Sequence, residues 1–248
     1  MIKVTNLWKY FDGTPVIENI TASFHKGKTN LIIGQSGSGK TVLLKCIVGL
    51  LEADKGNILY DGKDFINMDF NQRQMLRKEM GVLFQGGALF DSLTVEENIM
   101  FPLDMFTKNS KEEKRDRVDF CLKRVNLGAV NKLYPAELSG GMKKRVAIAR
   151  AIANSPKYLF CDEPNSGLDP KTSIVIDNLI KEIAEEFSIT TIVNTHDMNS
   201  VMEIGDRVAF IFEGKLWWEG SHDDILHSSN KELNSFVYAS ELLKKLKK

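Results

Sequence analysis

The 248 residues balance 33 Lys and Arg against 33 Asp and Glu, and 43% of them are hydrophobic. That neutrality excludes a general field for gathering nucleic acid or anionic lipid, so any affinity for phosphate must be local. Three cysteines without paired-ligand spacing, Cys46, Cys121 and Cys161, exclude a zinc centre and a disulfide framework and imply a reducing compartment; no apolar run approaches the roughly 20 residues that a bilayer span requires.

The length suits one hydrophobic core with a sub-domain inserted or appended. No internal repeat, low-complexity tract or linker interrupts it. Residues 2–7, 17–24 and 29–33 read as the first strands. Residues 40–51 are apolar on nearly every side, through Val42, Leu43, Leu44, Cys46, Ile47, Val48, Leu50 and Leu51, which describes a helix buried against a sheet. Between strand and helix lies Gly34-Gln35-Ser36-Gly37-Ser38-Gly39-Lys40-Thr41. A G-x-x-x-x-G-K-[ST] loop in that context places backbone N–H groups around a β-phosphate, with the positive end of the helix dipole behind them. Lys40 is placed to span the β- and γ-phosphates, and the Thr41 hydroxyl to ligate Mg²⁺.

Residues 80–85 form the next expected strand, and the segment from about 86 to 137 reads as a helical insertion. Thr94 with Glu97, and Ser110 with Glu113, have the spacing of capping boxes, so a helix is expected to start at each. Beyond Ser110, Val118, Cys121, Leu122 and Val125 recur at helical spacing beside Lys111, Lys114, Arg115, Arg117, Lys123 and Arg124, the pattern of a surface helix. Ala88, Leu89, Phe90 and Leu93 suit either a groove that receives a partner helix or the insertion's own core. The same two readings apply to Phe101, Pro102, Leu103, Met105 and Phe106.

Ser139 reads as the N-cap of a helix over residues 140–153, whose glycine-rich start precedes Lys143, Lys144 and Arg145. This is an anion site, or a cap and nothing more. Residues 158–161 form an apolar strand that ends in Asp162 and Glu163. Since alternate strand residues face opposite ways, Asp162 can serve Mg²⁺ while Glu163 orients or deprotonates an attacking water; two carboxylates solvating a strand end is the plainer alternative. Strands over 190–194 and 208–212 follow, and several of these runs are apolar throughout, as parallel strands buried on both faces are. Gln85 and His196 thus stand at carboxyl ends of strands, where open α/β sheets bind ligands. A late strand over 214–220 carries adjacent Trp217 and Trp218, one of which must face away from its sheet's core, to be covered by the extension or left as a contact site. The basic, amphipathic tail at 241–248 is a frayed helix end, a contact with a neighbouring subunit, or a contact with acidic lipid.

Leu138-Ser139-Gly140-Gly141-Met142, combined with the phosphate loop, Asp162-Glu163, Gln85 and His196, resembles the ATP-binding subunits of ABC transporters. The resemblance covers residues 1 to about 225, leaving 226–248 as a helical C-terminal extension. It implies an α/β fold, a P-loop NTPase with a RecA-like core, an antiparallel β sub-domain and the inserted helical sub-domain. It implies an ATPase that uses ATP and Mg²⁺. It assigns Gly34, Gln35, Ser36, Gly37, Ser38, Gly39, Lys40, Thr41 and Val42 to ATP, and Phe11, or else Tyr10, to stacking on the base. Thr41, Gln85 and Asp162 are assigned to the metal. Glu163, His196 and Gln85 are assigned to catalysis, His196 by bonding the γ-phosphate. Ser139, Gly140, Gly141, Met142 and Asp169 would meet the nucleotide of a second copy, which makes the working form a homodimer with ATP clamped between two chains.

Two positions depart from the commoner pattern. Asn165 stands where Thr is usual, a change expected to lie on the surface and be tolerated; Met142 stands where most members carry Gln, so a thioether replaces an amide. The run Met142-Lys143-Lys144-Arg145 and the stretch 84–95 look like the Mla-type, MCE-associated ATPases of bacterial phospholipid transport. The implied partners are integral membrane permease subunits, whose coupling helix enters a groove near Gln85, an MCE-type lipid-binding protein and a small cytoplasmic regulatory protein, with no nucleic acid. The implied location is the cytoplasmic face of the inner membrane. Uptake of another solute, or lipoprotein release, would use the same chemistry under a different permease.

Overall fold

The computed structural model describes residues 1–238, so the basic tail at 241–248 lies outside the described residues. In chain order the elements are β1 (Ile2–Phe11), β2 (Thr14–Phe24), β3 (Thr29–Ile33), α1 (Lys40–Val48), β4 (Lys55–Tyr60), β5 (Lys63–Asp64), α2 (Phe70–Arg77) and β6 (Met80–Leu83). There follow α3 (Val95–Phe106), α4 (Lys111–Arg124), a short 3₁₀ turn (Pro135–Glu137), α5 (Gly140–Ile152), β7 (Tyr158–Asp162) and α6 (Pro170–Glu186). The chain closes with β8 (Thr190–Thr195), α7 (Met198–Ile204), β9 (Arg207–Phe212), β10 (Lys215–Gly220), α8 (His222–Leu226) and α9 (Lys231–Val237). Two compact units result, one from residues 1–69 and 190 onward, the other from residues 70–189.

In the first unit β2, β1, β4 and β5 form an antiparallel sheet in that order, with Ile2 opposite both Phe24 and Tyr60. Its parallel strand β3 pairs with β8 on one side and β9 on the other, and β10 adds antiparallel to β9. Every residue of β3 is buried, as expected of a parallel strand covered on both faces. Three two-residue turns, Asp12-Gly13, Asp61-Gly62 and Glu213-Gly214, join antiparallel neighbours with positive φ at both residues, the geometry that follows strand twist. The first of them lets β1 pair with β2 as far as Phe11, beyond the expected end at residue 7.

Helix α1 is shorter than the expected 40–51. Gly49 takes φ 79°, and the N–H groups of Leu50 and Leu51 fold back onto the Lys45 carbonyl, which terminates the helix. Tyr60 Oη donates to Ile47 O at 2.6 Å and fastens the end of α1 to β4. The C-terminal extension docks through buried Leu233 and Val237, and Phe236 lies 5.5 Å from Phe210. Trp217, edge-on to Phe212 at 5.5 Å, donates from Nε1 to Glu232 at 3.0 Å. The extension therefore engages the outward indole that the strand leaves uncovered.

In the second unit β6 and β7 pair in parallel from Met80 opposite Tyr158 to Leu83 opposite Cys161. β6 ends before the expected residue 85 because the Gly87 N–H closes a turn on Phe84 O at 2.8 Å. Helices α3, α4 and α5 pack on one another. The stripe Val118, Cys121, Leu122 and Val125 is buried, at most 3% exposed, so α4 is the surface helix its periodicity predicts. All three cysteines are buried and unpaired, and burial pushes the thiols of Cys46 and Cys121 up to about 11. Among the described residues no helix is long and apolar enough to cross a membrane.

Both capping boxes form. Hydrogen bonds from the Thr94 N–H and hydroxyl hold the Glu97 carboxyl below the usual carboxylate range, and Ser110 does the same for Glu113. A carboxyl whose folded pKa is depressed adds stability that is complete above its ordinary value near 4.5 and is lost as pH falls through the folded value. Glu97→Gln and Glu113→Gln should therefore melt below the wild type at pH 7, with the difference narrowing below about pH 4. Circular dichroism melts that run parallel at every pH would contradict the assignment.

Candidate nucleotide site

In the first unit, β3 delivers the chain into the phosphate loop and α1 receives it. Lys40 is only 6% exposed and donates from Nζ to Gly34 O at 2.8 Å and Gln35 O at 2.9 Å, so its ammonium is gathered onto the loop. A Cβ on Gly34 would lie 2.2 Å from Ile211 O, and one on Gly39 would lie 2.9 Å from both Val16 O and Ile17 Cδ1. No side chain fits at either position. Gly39, at φ 104°, opens α1 without a side-chain cap, and the buried Ser38 Oγ has no hydrogen-bond partner. An uncapped helix start, a buried ammonium and an unsatisfied hydroxyl are what polyphosphate oxygens satisfy.

Phe11 ends β1 and is 43% exposed. Tyr10 instead stacks on Trp8 with centroids 5.9 Å apart, and Lys55 Nζ lies 5.7 Å from each of those rings. Phe11 is the more exposed of the two rings, with Lys9 Nζ 5.5 Å from its centroid. His196 is exposed and directly follows β8, ahead of Asp197, which caps α7 through a bond accepted from Asn199 N. The half-buried Thr41 stands in the first turn of α1.

In the second unit, Asp162 is the last, buried residue of β7, and Glu163 follows with φ 48°. The two carboxylates are thus separated by a left-handed turn and not by strand alternation. That conformation is unfavourable for a glutamate, and strain of this kind clusters at working sites. Gln85 is exposed and donates from Nε2 to Ser166 Oγ at 3.2 Å, while its backbone oxygen accepts from Lys144 Nζ. Asn165 is not a surface substitution. It is half-buried and donates from Nδ2 to Oδ2 of Asp177, a carboxylate only 2% exposed, at 2.8 Å.

Ser139 caps α5, accepting from Met142 N at 3.3 Å. A Cβ on Gly141 would lie 2.7 Å from Thr172 Cγ2, so glycine lets the first turn of α5 approach that of α6. Asp169 caps α6, and the Thr172 hydroxyl, with the N–H groups of Thr172 and Lys171, holds its carboxyl below the usual range. Ser139, Gly140, Gly141, Met142 and Asp169 all line one cavity of about 280 Å³. Arg145 and Thr172 line it too, although neither was singled out as a site residue from the sequence. A helical reading places residue 145 one turn beyond 141, a signal that would have found the arginine. A second cavity, of about 480 Å³, is lined by Phe84, Ala88, Phe90, Phe101, Pro102 and Phe106, among others. Phe90, Phe101 and Phe84 are 37–42% exposed, whereas Leu103 on the same helix is core. Arg150 holds the loop by donating to Ala88 O and Gly87 O, each at 2.7 Å.

Comparison with known proteins gives a match of residues 17–166 to the family described as ABC transporter. The chain is 37% identical over 95% of its length to the probable ribonucleotide transport ATP-binding protein mkl of Mycobacterium leprae. It spans about two thirds of these mycobacterial relatives, 68% of that protein and 66% of its Mycobacterium tuberculosis counterpart. It is 40% identical to the methionine import ATP-binding protein MetN of Clostridium tetani, over 98% of the chain and 76% of MetN. Among solved structures it matches the dimeric post-hydrolysis state of the ATP-binding cassette MJ0796 bound to ADP and Pi, with a TM-score of 0.82, 33% identity, and coverage of 90% and 99% of the two chains. It also matches cbiO1 of Clostridium perfringens, part of the ABC transporter complex cbiONQ, with a TM-score of 0.85, 31% identity, and coverage of 100% and 98%.

Proposed function

The chain belongs to the ABC transporter family of ATP-hydrolysing subunits, which bind ATP with Mg²⁺, and from that premise we propose that it works as a homodimer beneath a membrane permease and drives phospholipid transport between bacterial membranes. One observation carries the coupling to a permease: the apolar cavity of about 480 Å³ beside the loop that follows Gln85, walled by half-exposed phenylalanines and lined by Arg150, which ties the loop through Ala88 O and Gly87 O. A groove of that character takes the apolar face of a short helix. It supports the groove reading of Ala88, Phe90 and Phe101 over the core reading.

The geometry of each unit supports the following residue roles. Lys40 neutralises charge on the β- and γ-phosphates, and the uncapped start of α1 faces the same anion. Thr41 and Asp162 are hard oxygen donors of the kind Mg²⁺ takes, with Gln85 as a further ligand. The metal, when bound, withdraws charge from the phosphate oxygens. Glu163, turned away from Asp162 by its positive φ, takes the proton of the attacking water, and His196 donates to the γ-phosphate. Phe11 stacks on the base. The unit that carries Ser139 has no phosphate loop of its own, and its 280 Å³ cavity at the start of α5 supports Ser139, Gly140, Gly141, Met142 and Asp169 as contacts for a second copy's nucleotide.

The lipid cargo rests on Met142-Lys143-Lys144-Arg145 and residues 84–95, and it brings with it an MCE-type protein, a small cytoplasmic regulator and a position on the inner membrane's cytoplasmic face. Import of a small solute is the second reading, favoured by relatives whose names state methionine and ribonucleotide transport. Affinity purification of the tagged chain from membranes separates them. An MCE protein and a lipid-type permease are expected to co-purify, and phospholipid should raise the ATPase rate of the complex. A periplasmic solute-binding protein in their place would decide for import.

A further inference from the structure

Lys144 follows the Ser139-Gly140-Gly141-Met142 turn and in sequence joins Lys143 and Arg145 as an apparent basic cluster at the start of α5. The structure separates it from them. Lys143 and Arg145 are half-buried, whereas Lys144 is 6% exposed. Lysine is almost never that buried unless its charge is paired or used. Burial pulls its ammonium below the ordinary lysine range, opposed by the Coulombic fields of Cys161 and Glu163. Burial raises the Cys161 thiol far above neutrality.

The Lys144 ammonium donates to the backbone oxygen of Gln85. That oxygen lies in the turn where β6 has ended and no ladder partner fixes the chain. The other end of the same residue is held by Ser166 Oγ, in the loop between Glu163 and Asp169. Gln85 is therefore gripped twice: at its backbone by helix α5, which Ser139 caps, and at its amide by the loop that follows Glu163.

We propose that Lys144 is a positioning residue for ATP hydrolysis, setting where the Gln85 side chain is presented by anchoring its backbone to α5. This rests on the reading of Gln85 as part of the hydrolytic site and adds how that residue is placed. Arg150 and the Phe84–Gly87 bond hold the far side of the turn, so an apolar residue at 144 leaves the Gln85 oxygen unpaired and Gln85 itself able to shift, and misplacement by about an ångström costs on the order of 10²-fold in rate.

The test uses the whole chain and steady-state ATP hydrolysis, with melting temperatures to verify folding. Lys144→Met should lower kcat by roughly 10–10²-fold while KM for ATP stays near the wild-type value. Lys144→Gln, whose amide still donates at that place, should recover most of the rate, and Lys144→Asn, which is too short, should not. In a Gln85→Ala background Lys144→Met should cost nothing further. Full turnover in a folded Lys144→Met, or losses that multiply with those of Gln85→Ala, would overturn the positioning role. If Lys144→Met does not fold, equal rates for Lys144→Gln and Lys144→Asn would overturn it instead. A slowed Gln85→Ala beside an unaffected Lys144→Met would sink this inference alone, whereas an unaffected Gln85→Ala would remove the reading of Gln85 beneath it.

Discussion

Glu163→Gln is expected to slow ATP turnover by roughly 10²–10⁴-fold, the usual cost of losing a general base, while nucleotide binding is retained. The amide keeps the shape of the side chain and the Ser166 N–H bond to the residue 163 carbonyl, at 3.2 Å, but accepts no proton at any pH. The left-handed backbone at φ 48° is unaffected, so a loss of rate reports chemistry and not a collapsed loop. With hydrolysis blocked, bound Mg·ATP should hold two chains together, because the cavity at Ser139 then has its anion for as long as the nucleotide lasts. Sizing the variant with Mg·ATP should move it to twice the mass of the ADP form. A variant that stays monomeric under saturating Mg·ATP would remove the shared-site arrangement, and one that turns over at the wild-type rate would take the base assignment from Glu163.

Lys40→Ala is expected to lower ATP affinity by about 10²-fold, since hydrogen bonds to a charged group contribute about 1.5–3 kcal/mol and each 1.4 kcal/mol is a factor of ten. Turnover should fall below detection. The side chain is buried and ends on two loop carbonyls at 2.8 and 2.9 Å, so the variant loses both the cation for the phosphates and a tie across the loop. Lys40→Arg should not restore the function, because a planar fork cannot replace a compact ammonium in that place. Titration with a fluorescent ATP analogue measures the loss directly. Unchanged affinity in a folded Lys40→Ala would exclude residues 34–41 as the phosphate site.

Much of this could be read before any coordinates, and the readable part shares one property: it follows from rules that act within a few residues. The Gly34 to Thr41 pattern, the boxes at Thr94 and Ser110, the cap at Ser139 and the stripe on α4 each depend on backbone geometry or a helical period. Each was found where expected. Misplaced ends have local causes as well. Gly49 cut α1 short, the Phe84 to Gly87 turn cut β6, and Asp61-Gly62 announced a β4–β5 hairpin that went unread.

Pattern in the chain thus gave an ATP-binding α/β fold, its glycine-rich loop, its carboxylate pair and the Ser139 cap of α5. Folding in three dimensions alone made Lys144 an internal anchor and not a surface charge, turned Asn165 toward the buried Asp177, and gathered Ser139, Asp169 and Arg145 around one cavity. A residue's type states its charge and size but not which distant segment will cover it. Desolvation and pairing arise only when segments far apart in the chain meet.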